Sequence, residues 1–259
     1  MDIQGKVVVV TGAGSGIGRA LARKFAEAGA RAVIAADIDL AGAEETAKSY
    51  GGPAMRCDVS SEASILALIE ETEAKHGPIA LFCSNAGILT AGGPEAPDEA
   101  WRRIIDINVM AHIWAARHLV PLMAARGGGY FLNTASAAGL LSQVGSMPYA
   151  VTKHAAVAVA EWLALTYGDQ GIGVSVLCPQ AVRSKMTAGH EEGVASLDGM
   201  LEPEPVAEAC LRAVEAETFL VLPHPEVLTY MRNKAENYDR WIGGMRKLNR
   251  RFGGSVEGR

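Results

Sequence analysis

Residues 6–20, KVVVVTGAGSGIGRA, decide the fold. Val7 to Val10 are four β-branched apolar residues in a row, which predicts a parallel strand buried on both faces. Thr11, Gly12, Gly14, Gly16 and Gly18 follow at once. Glycines there permit positive φ and let a ligand approach the backbone closely. A helix is predicted to begin near Gly16. Its free N–H groups and the positive end of its dipole then face the turn and favour a pyrophosphate. A lone GxGxxG is a weak signal. Here it lies between a strand and a helix, and an acid, Asp37, follows about 20 residues on, as a dinucleotide-binding unit requires.

Outward from this unit, strands and helices alternate. Strands are predicted over residues 32–36, 54–57, 79–83, 130–134, 174–178 and 219–222. The intervening helices cover residues 16–28, 40–49, 62–76, 99–125, 148–167 and 203–217. Ser60 or Ser61 is placed to cap the third helix. This order predicts a Rossmann-type α/β fold: a doubly wound parallel sheet of about seven strands with helices on both faces. No repeat or linker divides the chain, so residues 1–259 read as one domain. Ligands in such sheets sit beyond the carboxyl ends of the strands. The polar residues expected there are Thr11, Asp37, Asp58, Asn85, Ser136 and Pro179-Gln180, which would converge on one crevice.

Composition narrows the function. A chain of 259 residues with 49% hydrophobic and 20% charged residues supports a sizeable core. The net charge of −5 argues against nucleic acid as a partner. No apolar run reaches transmembrane length, and the first strand starts too early for a signal peptide. Cys57, Cys83, Cys178 and Cys210 form no CxxC pair and read as buried free thiols, which fits a cytoplasmic location. The six histidines form neither HExxH nor a close cluster, so no metal is expected.

Tyr149 and Lys153 are four residues apart and share a helix face. Free tyrosine titrates near pH 10 and is a poor base at neutrality. A nearby ammonium favours the phenolate, so Lys153 is placed to make Tyr149 a usable proton acceptor. Ser136, ending the fifth strand, could hydrogen-bond a substrate oxygen. Asp37, ending the second strand, could hydrogen-bond the adenosine ribose and repel a 2′-phosphate, which selects NAD over NADP. The lesser alternative is that Asp37 merely caps the turn that follows it.

Together these residues make the sequence resemble the short-chain dehydrogenase/reductase family. The motif TGxxxGxG reads as Thr11, Gly12, Gly16 and Gly18, and NNAG as Ser84-Asn85-Ala86-Gly87. A helix asparagine matches Asn108, the family serine matches Ser136, and YxxxK matches Tyr149 and Lys153. The resemblance implies a proton exchanged at Tyr149, which Lys153 assists while holding the nicotinamide ribose. Ser136 would orient the substrate oxygen, and Asn108 would distort its helix and hold a water linking Lys153 to solvent. Gly12, Ser15, Gly16, Ile17 and Gly18 would hold the pyrophosphate, and Asp58 and Val59 the adenine. Asn85, Ala86 and Gly87 would line the adenosine side, with Pro179, Val182 and Ser184 near the carboxamide. It departs at Ser84, at Ser184 in place of threonine, and at Gln180 in place of glycine.

The expected activity is NAD-dependent alcohol dehydrogenase or ketone reductase chemistry on a small molecule. Alternatives are a dehydratase or epimerase with tightly held NAD, or a nucleotide-sensing binding protein. The resemblance also implies a homodimer or homotetramer through the helices around residues 101–125 and 148–167. The pocket is expected to be bounded by Ala138, Leu140, Leu141, Val144, Met147, Gln180 and Ala181, with Leu89 closing one side. These residues are mostly apolar and uncharged, which favours a bulky aromatic or alicyclic alcohol or ketone over a sugar. Residues 186–201 lack periodicity, contain three glycines and suggest a lid. Residues 226–252 form an amphipathic helical tail with Met231, Trp241, Met245 and Leu248, read as packing on the subunit or a partner rather than on a membrane.

Overall fold

In the computed structural model, which describes residues 1–189 and 193–253, β1 (Val7–Thr11) lies near the centre of a seven-stranded sheet. The other strands are β2 (Ala32–Asp37), β3 (Ala54–Arg56), β4 (Ile79–Ser84), β5 (Gly129–Thr134), β6 (Ile172–Leu177) and β7 (Leu220–Val221). Their order is β3-β2-β1-β4-β5-β6-β7, and every pairing is parallel. All five residues of β1 are buried, and they divide by parity. Val7 and Val9 join one core with Ile34, Phe82 and Phe131; Val8 and Val10 join the opposite one with Val33, Leu81 and Leu132. The period-2 alternation of a strand thus feeds two helical layers from one apolar run.

The first core carries α3 (Glu62–His76), α5 (Ala111–Ala125) and α6 (Met147–Tyr167). The second carries α1 (Gly16–Glu27), α2 (Leu40–Lys48) and α7 (Pro203–Glu215). Ser61, rather than Ser60, caps α3, its side chain accepting from the Ser64 amide. The sheet turns back between β1 and β4, which opens the crevice at their carboxyl ends.

Two elements differ from the sequence reading. The helix expected over residues 99–125 is interrupted: α4 (Asp98–Ile105) passes into a π-helical turn over Asp106–Met110 before α5 begins. Asn108 sits in that turn, fully buried, and causes the distortion by bonding outward: it accepts from the Ile88 amide at 2.9 Å and donates to the Ile88 carbonyl at 2.9 Å. The tail is two helices, α8 (Glu226–Glu236) and α9 (Tyr238–Phe252), split at Asn237, whose side chain caps α9 through the Arg240 amide. Remaining limits shift by a residue or two, the ordinary fraying of element ends.

Within residues 186–201, residues 190–192 lie outside the described residues, as do 254–259. Residues 193–201 fold back over the chain after β6. Ala181 N donates to Ala195 O at 3.0 Å and Leu201 N to Ala181 O at 3.1 Å.

Candidate active site

Three strand ends are tied by side chains. Thr11 Oγ1 donates to the Cys83 carbonyl at 3.2 Å and accepts from the Asn85 amide at 3.0 Å. Asn85 Nδ2 donates to the Thr11 carbonyl at 3.0 Å, and its Oδ1 accepts from Thr134 Oγ1 at 3.1 Å. β1, β4 and β5 therefore end in register around one polar knot. The glycine turn presses against it. Gly12 has φ +68°, and a Cβ there would stand 2.9 Å from the Ala86 Cα. A side chain at Gly18 would run into the Gly12 carbonyl. Both must be glycine for turn and helix to meet this closely.

Asp37 ends β2 with both carboxylate oxygens engaged: Oδ2 accepts from the Gly14 amide at 2.8 Å and Oδ1 from the Asp39 amide at 2.9 Å. It both caps the following turn and faces the cavity. Arg19 and Lys185 stand near this end, but each is paired, Arg19 with Glu45 at 3.0 Å and Lys185 with Asp39 at 3.5 Å. Asp58 accepts from the Ser60 hydroxyl at 2.7 Å and amide at 3.0 Å, which holds its carboxyl below the usual range.

The reactive group of side chains is set by α6. Ser146 caps that helix by accepting from the Tyr149 amide at 3.2 Å, and Pro148 lies in its first turn. Tyr149 and Lys153 then project from one face a turn apart. Lys153 is 3% exposed; its Nζ donates to the Thr134 carbonyl at 3.0 Å and lies 5.6 Å from the Tyr149 ring centroid. Burial pulls this ammonium down to about 8. Ser136, ending the β5 loop, accepts from the Ala138 amide at 3.1 Å and lies within hydrogen-bonding reach of the Tyr149 hydroxyl.

Burial pushes the Tyr149 hydroxyl above its ordinary value, and the Ser136 contact opposes it. Lys153 stands beside the Tyr149 ring with its ammonium turned to the Thr134 carbonyl. Asn108 lies behind this group rather than in the cavity wall. Its Nδ2 also donates to Thr152 Oγ1 at 3.2 Å, so both donors of its amide serve the protein.

One cavity of about 1560 Å³ runs from Asp37 to the loop after Ser136. It exceeds the ~300–1,000 Å³ usual for one small ligand, so it has room for a dinucleotide and a second molecule. Every predicted cofactor residue lines it: Gly12, Ser15, Gly16, Ile17, Gly18, Asp37, Asp58, Val59, Asn85, Ala86, Gly87, Pro179, Val182 and Ser184. So do Ser136, Tyr149 and Lys153 and the predicted pocket residues Ala138, Leu141, Val144, Gln180, Ala181 and Leu89. Leu140 and Met147 do not. Leu140 packs with Tyr230, Met231 and Trp241, and Met147 is exposed because α6 turns it outward. Gln180 has its amide donor committed to Asp198, at 2.9 Å, which leaves its buried Oε1 without a protein partner.

Sequence reasoning missed one wall. Tyr230 from α8 and Trp241, Met245, Leu248 and Phe252 from α9 line the substrate end of the cavity. The signal was the tail's apolar stripe, whose partner could not be read from spacing. Among the described residues no group of His, Cys, Asp and Glu is arranged to hold a metal, and no helix is long and apolar enough to cross a membrane.

A seven-stranded parallel sheet with a glycine turn at its switch point and a Ser–Tyr–Lys group beside it defines a nicotinamide-dependent oxidoreductase. The short chain dehydrogenase family model matches residues 6–195, and the chain belongs to that family. It is 33% identical over 252 residues to 1-deoxy-11-beta-hydroxypentalenate dehydrogenase of Streptomyces exfoliatus, covering 93% of this chain and 91% of that protein. It is 34% identical over 231 residues to cis-4-hydroxycyclohexanecarboxylate dehydrogenase of Sinomonas cyclohexanicum, covering 83% and 92%. A short-chain dehydrogenase/reductase from Burkholderia phymatum, solved in complex with NAD, superposes with a TM-score of 0.84 at 30% identity, covering 92% of this chain and 96% of that one. The protein is an enzyme of the alcohol dehydrogenase and ketone reductase kind.

Proposed function

We propose that this enzyme uses NAD to interconvert a hydrophobic alicyclic or aromatic secondary alcohol and its ketone. The observation that carries the reading is the composition of this cavity. A carboxylate, Asp37, stands at one end, and Ser136, Tyr149 and Lys153 stand at the other against the apolar residues Ala138, Leu141 and Val144. Asp37 would repel a 2′-phosphate, and the cations nearest it are already paired, which favours NAD over NADP. The two curated relatives are named for alicyclic hydroxy compounds, in line with such a wall.

The residues divide the work as follows. Bound NAD would supply the hydride acceptor or donor. Ser136 holds the substrate oxygen and stabilises charge developing on it. Tyr149 gives or takes the proton at that oxygen. Lys153, fixed by the Thr134 carbonyl, provides the positive charge beside Tyr149 and a donor for the ribose hydroxyls. Asn108 holds the loop at Ile88 against Thr152 of α6, which keeps the cofactor loop and the catalytic helix in register. Its amide donors being used, a water relay from Lys153 would pass by its main chain. Residues 186–189 and 193–201 act as the lid.

The enzyme works in the cytoplasm, where its four buried thiols stay reduced, and pairs through the outer faces of α5 and α6. Val120, Pro121, Val159 and Trp162 line an apolar groove there, and Trp162 is 57% exposed. Trp162→Arg would lower the molar mass seen by light scattering; an unchanged mass would remove this face from the interface. The test of function is absorbance at 340 nm with NAD and matched alicyclic, aryl, short aliphatic and sugar alcohols. Alicyclic or aryl alcohols should give the highest kcat/KM. Sugars leading would overturn the substrate reading, and faster turnover with NADP would overturn the cofactor reading.

A further inference from the structure

The C-terminal helices lie outside the matched family segment, residues 6–195, yet they complete the cavity. They are anchored to the loop that carries the substrate wall. Lys234 Nζ donates to the Leu140 carbonyl at 2.7 Å, and Leu140, Tyr230, Met231 and Trp241 share a small apolar cluster with Ala137, Leu141 and Val227. This wall therefore faces the reacting end and not the adenosine end.

The wall of α9 is not purely apolar. Arg240 and Lys247, both exposed, line the cavity beside the stripe of Trp241, Met245 and Leu248. Seven residues are almost two helical turns, so the two cations lie one above the other on one face. Neither takes part in an ion pair among the described residues, whereas Arg19, Arg102, Arg117, Arg126 and Arg212 all do. Five cations and one acid, Asp239, fall within α9, in a chain whose net charge is −5. The other three cations, Arg246, Arg250 and Arg251, do not line the cavity. Neither Asp198, which accepts from Gln180 and Tyr230, nor Glu236, the only carboxylate that α8 and α9 add to the lining, is paired with either cation among the described residues.

We propose that Arg240 and Lys247 form a subsite for a carboxylate on the substrate, so that the preferred substrate is an alicyclic alcohol or ketone with an anionic group remote from the reacting carbon. The apolar stripe beside the two cations would cover the carbon skeleton. The cations would hold the far end and fix which carbon reaches Ser136 and Tyr149. The inference rests on the dehydrogenase reading and adds a requirement to it.

The test uses the full chain with NADH and cyclohexanones bearing a 4-alkyl chain of one to six carbons, each ending in a carboxylate or its methyl ester. Spacer length locates the cations relative to the reacting carbon. The number read is the ratio of kcat/KM for acid over ester, which is independent of the fraction of protein that is folded. The expected ratio is on the order of fivefold to tenfold at the best spacer, because partly exposed ion pairs are modest. It should fall with added salt. Arg240→Ala and Lys247→Ala should each lower it, and the double variant should bring it close to one. Arg240→Lys should restore most of it, and Arg246→Ala, outside the cavity, should leave it as it is. Ketones reduced with no preference for the acid at any spacer, or a preference that survives the double variant, would overturn the subsite alone. No turnover of any pair with NADH bound would overturn the alicyclic-ketone reading and the subsite with it.

Discussion

The side-chain amide of Gln180 donates to Asp198 Oδ2 at 2.9 Å, which fastens the segment over the cavity to the strand end beneath it. The same carboxylate accepts from the Tyr230 hydroxyl at 2.9 Å through Oδ1. One side chain thus joins the chain after β6, the covering segment and α8. Asp198→Ala should free residues 193–201 and raise KM for an alicyclic ketone several-fold, with NADH affinity little changed. Hydrogen exchange at Ala195 and Leu201 amides should quicken in parallel. Unchanged exchange there would mean that the backbone bonds to Ala181 suffice to hold the segment.

Tyr149→Phe should lower kcat by a factor on the order of 10² or more. NADH fluorescence titration should show binding close to wild type, since the ring and the Lys153 contact with Thr134 persist. Near-normal turnover would take Tyr149 out of the proton transfer.

Asp37→Ser should narrow the preference for NAD by removing a charge that faces the ribose. Asp37→Asn separates charge from structure, because its amide oxygen still accepts from the Gly14 or Asp39 amide. The ratio of kcat/KM for NAD over NADP should fall in both variants. If it falls in Ser alone, the turn geometry and not the charge sets selectivity.

Lys153 gives a pH signature. Burial holds its ammonium down to about 8 in the folded chain, against 10.5 for an ordinary lysine. Below pH 8 both states are protonated, and burial of the charge opposes folding. Between pH 8 and 10.5 the unfolded chain binds more protons, so stability rises with pH. Urea unfolding of wild type should therefore gain on Lys153→Met by on the order of 2–3 kcal/mol from pH 7.5 to 10.5. The groups that feel the Lys153 charge, His112 at about 3 and Cys178 at about 12, titrate outside this window. A constant difference between them would show that the ammonium keeps its proton across that window.

Much of this site was legible along the chain because its parts are local. The run Val7–Val10 announces a strand buried on both faces, and Gly18 is needed for its contact with the Gly12 carbonyl in the same strand–turn–helix unit, whereas Gly12 must clear Ala86 from the segment after β4. Tyr149 and Lys153 meet through helical spacing alone. Asn108 was legible as a distortion, although the cause, two bonds to Ile88 and one to Thr152, joins segments 20 and 44 residues away. Leu140 and Met147 were misplaced because apolar spacing shows that a side chain is buried or covered, but not by what.

The sequence by itself determined the strand order's alternation, the dinucleotide turn and the reactive trio, since each depends on periodicity or on neighbours a few residues apart. Only the tertiary structure decided that α8 and α9 close the substrate end and that Asp198 holds the cover down. It also decided that Arg240 and Lys247 line that cavity from α9 and that Lys153 is buried against the Thr134 carbonyl. These depend on segments far apart in the chain meeting at one cavity, and on how much water that meeting excludes.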